Sequence, residues 1–213
     1  MIVFLTGSPT RYGEDRFTED NGFLAQLKAA LPAVSRVLMI SAAPDDKAFT
    51  DSVLEGMTGC MVRSGIKTSG IVMLDRGNAA DAPELVSRCD LLVLCGGHVP
   101  TQNRFLHEIG LRALLENFEG VVLGCSAGSM NCAEHVYSHP ELPGEASDPA
   151  YSRWLRGLGL TDIQIIPHLE QVRNCVIDGR RLFEDVIFPD SFQHRFYTFK
   201  DGGYIVVRDG RPR

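Results

Sequence analysis

Ser126 is the residue in this chain best placed to do chemistry. It stands in Gly124-Cys125-Ser126-Ala127-Gly128, a G-x-S-x-G string that follows the apolar run 121–125 and precedes a segment able to start a helix. Glycines two before and two after the serine permit a sharp strand-to-helix turn, which lifts the hydroxyl out at the carboxyl edge of a sheet. The helix N-terminus beneath it offers N–H donors and positive dipole character where an oxyanion would form. These are the parts of a nucleophile that attacks a carbonyl. A serine that merely caps a helix between packing glycines carries the same string, and its place after the fifth strand of a βα series favours the nucleophile. Cys125 is out of register for that role, with Leu123 and Ala127 where the turn needs glycine.

A nucleophilic serine needs a base. The run 163–167 is strand-like and ends at His168, which places an imidazole at the carboxyl edge of the same parallel sheet. His107 falls in a helical stretch, His135 and His139 in a loop, and His194 ahead of the last strands. The base in turn needs an orienting carboxylate. Glu134 would lie roughly 12 Å along the helix that starts at Ala127, and Asp162 opens the strand whose far end is His168. Glu141, Glu145 and Asp148 lie in a loop that can fold back over the site, and the spacing alone does not choose among them. Gly96-Gly97 ends a further strand at this edge. Glycines there let backbone amides approach a bound carbonyl, so Gly97 and Ala127 form a candidate oxyanion hole; a plain tight turn is the other reading of the pair.

The elements that must carry these groups alternate in type. Apolar runs at 2–7, 36–42, 71–74, 91–95 and 121–125, rich in Val, Ile and Leu, predict strands buried on both faces of a parallel sheet. Between them 21–31, 45–64, 83–88 and 101–117 space apolar residues three and four apart and predict helices. Repeated βα units imply right-handed crossovers and an α/β fold, a doubly wound, mostly parallel sheet with helices on both faces. Beyond residue 135 the texture changes. The stretch 135–150 predicts a long loop, 172–188 a helix, and 195–208 around Asp201-Gly202-Gly203 a terminal β-hairpin. The chain stops soon after, leaving room for a further strand beyond it. No repeat or linker divides residues 1–213, which read as a single domain.

With 44% hydrophobic and 23% charged residues, 213 residues suffice for a sizeable core. The formal net charge of −6 argues against nucleic acid and anionic membrane surfaces as partners. No basic leader precedes the first strand, and no apolar run approaches the roughly 20 residues that span a bilayer. A soluble, cytoplasmic protein is expected. Six cysteines (60, 89, 95, 125, 132 and 175) show no C-x-x-C spacing and read as free, buried thiols. No metal or cofactor is expected; the expected partner is a small peptide substrate, and self-association, where it occurs, a homodimer.

Gly96-Gly97, Gly124-Cys125-Ser126-Ala127-Gly128-Ser129 and Pro167-His168, in this order, resemble the peptidase E (aspartyl dipeptidase) family, which includes cyanophycinase. Its fold is related to that of class I glutamine amidotransferases, and the similarity spans nearly the whole chain. The resemblance implies a serine peptidase that forms an acyl-enzyme on Ser126, with His168 as general base and Gly97 and Ala127 as amide donors. Aspartyl dipeptidases carry their acid in the loop after the serine, which implies Glu141 for that role here. There are two departures. The family's G-G-G-N stretch is Gly96-Gly97-His98-Val99, and Tyr137 and His139 occupy the neighbourhood where aspartyl dipeptidases place a substrate-holding arginine. A preference for acidic residues therefore does not follow. Three other readings compete. An amidotransferase-like enzyme using Cys125 is opposed by register. An α/β-hydrolase esterase usually has its histidine near the end of a longer chain, whereas 42 residues separate Ser126 from His168. A non-catalytic binding protein of the same fold is the third.

Overall fold

In the computed structural model, which describes residues 1–208, 211 and 212, five apolar runs become parallel strands. They are β1 (Ile2–Thr6), β2 (Ser35–Ile40), β3 (Thr68–Leu74), β4 (Leu91–Leu94) and β5 (Val121–Cys125), side by side in the order β1-β5-β4-β2-β3. The later strands are β6 (His135–Tyr137), β7 (Trp154–Arg156), β8 (Gln164–Ile166), β9 (Val176–Ile177), β10 (Arg180–Arg181), β11 (Phe196–Thr198), β12 (Tyr204–Arg208) and β13 (Arg211–Pro212). β12 runs antiparallel to β1 and β13 antiparallel to β12, which completes a seven-stranded, mostly parallel sheet.

Side chains of a strand alternate between faces, so strands apolar throughout feed two cores. Phe4, Met39, Val93 and Leu123 pack with residues of α1 (Phe23–Ala30) and α2 (Lys47–Arg63). Their neighbours Leu5, Ile40, Leu94 and Val122 pack on the other face with α3 (Ala82–Arg88), α4 (Val99–Glu108), α5 (Leu111–Leu114) and α6 (Ala127–Asn131). Each such side chain contributes about 1.5–3 kcal/mol on burial. α2 begins where the Asp46 carboxylate accepts the Phe49 N–H at 2.9 Å.

After β5 the chain departs from the simple reading. The stretch 135–150 contributes β6, which pairs antiparallel with β7 around an intervening loop. The stretch 172–188 is not one helix. α7 (Leu169–Asn174) stops before Cys175, and Asp178-Gly179, at φ 50° and 76°, turns β9 into β10 as a two-residue hairpin loop. A π-helical turn (Leu182–Ile187) and the short α8 (Phe188–Asp190) follow. The segment 195–208 does not fold back on itself either: β11 pairs in parallel with β8, and the terminal antiparallel pair is β12 with β13. β8 thus lies in a separate two-stranded sheet rather than in the main one. A third apolar cluster, which includes Tyr137, Ile166, Val172, Leu182 and Ile187, holds these later elements together.

The first turn of α6 is pressed onto β4. A Cβ on Gly128 would fall inside the van der Waals envelope of the Leu94 carbonyl oxygen, whereas one on Gly56, in α2, would meet nothing. Gly128→Ala should therefore cost about 3 kcal/mol or more, and Gly56→Ala should gain about 0.5–1 kcal/mol. Urea denaturation of the two variants checks this; a Gly128→Ala protein as stable as the parent would contradict the close approach.

Candidate active site

Ser126 joins β5 to α6 with φ 50° and ψ −113°, a conformation that costs a non-glycine residue on the order of 1–3 kcal/mol. Hydrogen bonds hold it there. The Ser126 N–H donates to the Thr6 carbonyl at 2.9 Å, and the Ser126 carbonyl accepts from Met130 N–H at 3.0 Å. The Ser129 hydroxyl accepts from the Thr6 N–H and donates to the Thr6 carbonyl, both at 2.8 Å, and so fastens α6 to β1. Gly124 is required because a Cβ there would stand 2.6 Å from the Ser129 Cα. Cys125 points into the core shared with α1 and α2 and is 6% exposed. Burial pushes its thiol up to about 12, against a weaker opposing hydrogen bond from Thr6. It is a neutral packing residue.

Gly97 takes φ 153° and would place a Cβ 2.8 Å from that of Ala42, so the turn after β4 admits only glycine there. Among the described residues, neither the Gly97 nor the Ala127 amide donates to a backbone carbonyl outside its own element.

His168 follows β8, opens α7, and has left-handed backbone angles of φ 53° and ψ 43°. Its Nδ1 lies 2.5 Å from Asp201 Oδ1. The carboxylate on the imidazole is therefore Asp201 and not Glu141, the residue that the family resemblance implied. Asp201 sits in a β-turn in which the Gly203 N–H donates to the Lys200 carbonyl at 2.9 Å and Gly202 takes φ 85°. The Gly202 N–H reaches the Ser8 carbonyl at 3.1 Å, which fastens this turn to the end of β1. A carboxylate accepting from Nδ1–H selects the tautomer whose Nε2 can take a proton. The turn character of Asp201-Gly202-Gly203 was the visible signal; its approach to His168 depends on β11 and β12 joining different sheets.

Ser126 and His168 line one cavity of about 230 Å³, together with His139, Pro140, Glu141 and an apolar wall that includes Val172, Ile177 and Leu182. Burial pushes the Glu141 carboxyl up to about 7, opposed by the Val99 amide and reinforced by Glu145. His139 is buried, and its desolvation lowers the imidazole. The other loop acids have structural partners. Glu145 accepts the N–H groups of Glu141 and Leu142 at 2.8 and 2.9 Å. Its second oxygen lies 2.9 Å from His98 Nε2, while His98 Nδ1 meets the Thr101 hydroxyl at 2.7 Å. Asp148 accepts the Ala150 N–H. Asp178 accepts N–H groups of Gly144, Ala146 and Ser147 at 2.8, 2.9 and 3.2 Å, and these bonds hold its carboxyl below the usual range. Among the described residues, no group of three or more His, Cys, Asp or Glu side chains converges to hold a metal ion.

No family model and no curated protein sequence matches the chain. Solved structures do. A provisionally designated peptidase E protein from Listeria monocytogenes aligns over 100% of this chain and 96% of its own, at 15% identity and a TM-score of 0.67. A peptidase from an acI-B1 Actinobacterium aligns over 97% of this chain and 83% of its own, at 18% identity and a TM-score of 0.65. The chain has the peptidase E-like fold.

The Glu141 carboxyl carries a stability signature. Its value rises from the ordinary 4.5 to about 7, so between those values the folded protein keeps a proton that the unfolded chain releases. Stability therefore falls as pH rises through that window, and the penalty is complete above it. Glu141→Gln should stabilise the protein by on the order of 2 kcal/mol near pH 8 and leave it unchanged near pH 4. Chemical denaturation at both pH values measures this, and an equal gain at both would show that the carboxyl does not titrate in this way.

Proposed function

We infer that this chain is a serine hydrolase that cleaves small peptide or isopeptide substrates through an acyl-enzyme on Ser126. The observation that carries this reading is a strained serine at a strand-to-helix elbow, facing the same cavity as an imidazole whose other nitrogen rests on Asp201. The fold shared with two peptidase structures supports it.

Nε2 of His168 takes the Ser126 proton as Oγ bonds to the scissile carbonyl carbon, and the carbonyl oxygen becomes an oxyanion held by the Gly97 and Ala127 amides. The tetrahedral adduct collapses, the carbon–nitrogen bond breaks, and His168 gives its proton to the leaving amine. Water then repeats the sequence on the ester, releasing the acid and restoring the serine. Asp201 stays ionised throughout, holding the ring and stabilising the imidazolium. All six cysteines are free, which suits a reducing, cytoplasmic compartment; among the described residues no helix is long and apolar enough to cross a membrane.

A fluorophosphonate probe should label Ser126. Ser126→Ala should abolish labelling and peptide turnover, and Cys125→Ala should preserve both, as intact-mass analysis and a dipeptide assay will read. An active Ser126→Ala enzyme inactivated by alkylation of Cys125 would defeat the serine mechanism. Asp201→Asn should lower turnover roughly 10³–10⁴-fold with the fold intact. Full activity in that variant would return the orienting role to a loop carboxylate.

A further inference from the structure

Proton transfer at Ser126 makes no use of Glu141, yet this carboxyl lines the same cavity. Its backbone is fixed, because its own N–H donates to Glu145. Among the described residues, no cation pairs with its side chain, and no lysine or arginine lines the cavity. Arg153, at the far end of the loop from Glu141, is committed to Asp190 at 2.8 Å; that carboxylate also accepts the Tyr137 hydroxyl. Apart from His139 and Gln171, the remaining wall is apolar, formed by Pro140, Pro167, Val172, Cys175, Ile177 and Leu182. The cavity thus presents a carboxyl that meets a backbone amide, that of Val99, but no cation, together with a largely apolar surface beside the nucleophile, in about 230 Å³.

We propose that this cavity is the subsite for the acyl residue of the substrate, taking a free α-ammonium on Glu141 and an apolar side chain against the wall from α7 to Leu182. The proposal rests on the serine-hydrolase reading and makes the enzyme a peptidase for small peptides with an unblocked, apolar N-terminal residue. An ammonium supplies the cation that the carboxyl lacks, and a charge pair with a largely buried carboxyl is stronger than one at the surface. An N-acylated substrate leaves the carboxyl unpaired. An acidic side chain brings a second negative charge into the cavity and finds no cation there.

Calorimetry on the Ser126→Ala protein with leucylglycine, aspartylglycine and N-acetyl-leucylglycine tests the subsite without turnover. Leucylglycine should bind at least about tenfold more tightly than either of the others. In the Ser126→Ala, Glu141→Gln double variant its advantage over the N-acetyl compound should disappear, with the thermal transition reporting that the protein is folded. The unaltered protein provides an independent arm, in which leucylglycine should slow fluorophosphonate labelling of Ser126 and the other two should not. Equal or tighter binding of aspartylglycine or the N-acetyl compound, no binding of leucylglycine, or a preference that survives loss of Glu141 would overturn the proposal. If the probe labels Ser126 while these preferences fail, the subsite is wrong and the hydrolase stands. If leucylglycine binds as expected but no labelling occurs, the subsite stands and the serine mechanism falls.

Discussion

The contact between the first turn of α6 and the carbonyl end of β4 constrains everything at the site. The helix can begin this close only because Gly124 and Gly128 present no side chain to Ser129 and Leu94. That approach throws Ser126 into an unfavourable backbone conformation and turns its hydroxyl toward the cavity. The Ser129 hydroxyl, bonded twice to Thr6, then locks α6 to the neighbouring β1. His168 is also held in a left-handed conformation. Both side chains stand on strained backbone, Ser126 kept in place by the cores on either side of the sheet and His168 beside the third apolar cluster.

The cavity wall is built differently. Its loop lies mainly outside regular structure and is ordered by carboxylates that accept amides, the partly buried Glu145 from one side and the exposed Asp178 from the other. His98 adds a link from the turn that carries Gly97 to Glu145, so a side chain ties that turn to the cavity loop. The sheet positions Ser126 and Gly97, and the segment after β5 supplies His168, Asp201 and the shape around them. Such a division lets one scaffold serve many substrates.

Much of the parallel sheet was legible in the sequence, because strands buried on both faces leave unbroken apolar runs. The placement of Ser126, Gly97 and Ala127 just beyond strand ends was legible for the same reason. His168 was found from the end of 163–167, although β8 pairs with β11 and not within the main sheet. Asp201 was not found. Its local sequence signals a turn, and its approach to the imidazole is fixed by pairings with strands distant in the chain. Glu141 stands in the cavity, but lining a cavity and touching the base are different placements that a loop position cannot separate. The hairpin at Asp178-Gly179 had a clear local signal, flanked by Val176-Ile177, which helical spacing across 172–188 masked.

The strand order has a temporal meaning as well. β1, at Ile2–Thr6, finds its second neighbour only in Tyr204–Arg208. During synthesis from the N-terminus, β5 can cover one side of β1 while the other edge stays open, awaiting a strand still to be translated. Asp201 lies in the turn that delivers this strand. The carboxylate on His168 therefore arrives in the same folding event that closes the sheet. A nascent chain on the ribosome carries Ser126 and His168 before Asp201 can meet the imidazole, and on the serine-hydrolase reading it is unarmed until the edge is sealed.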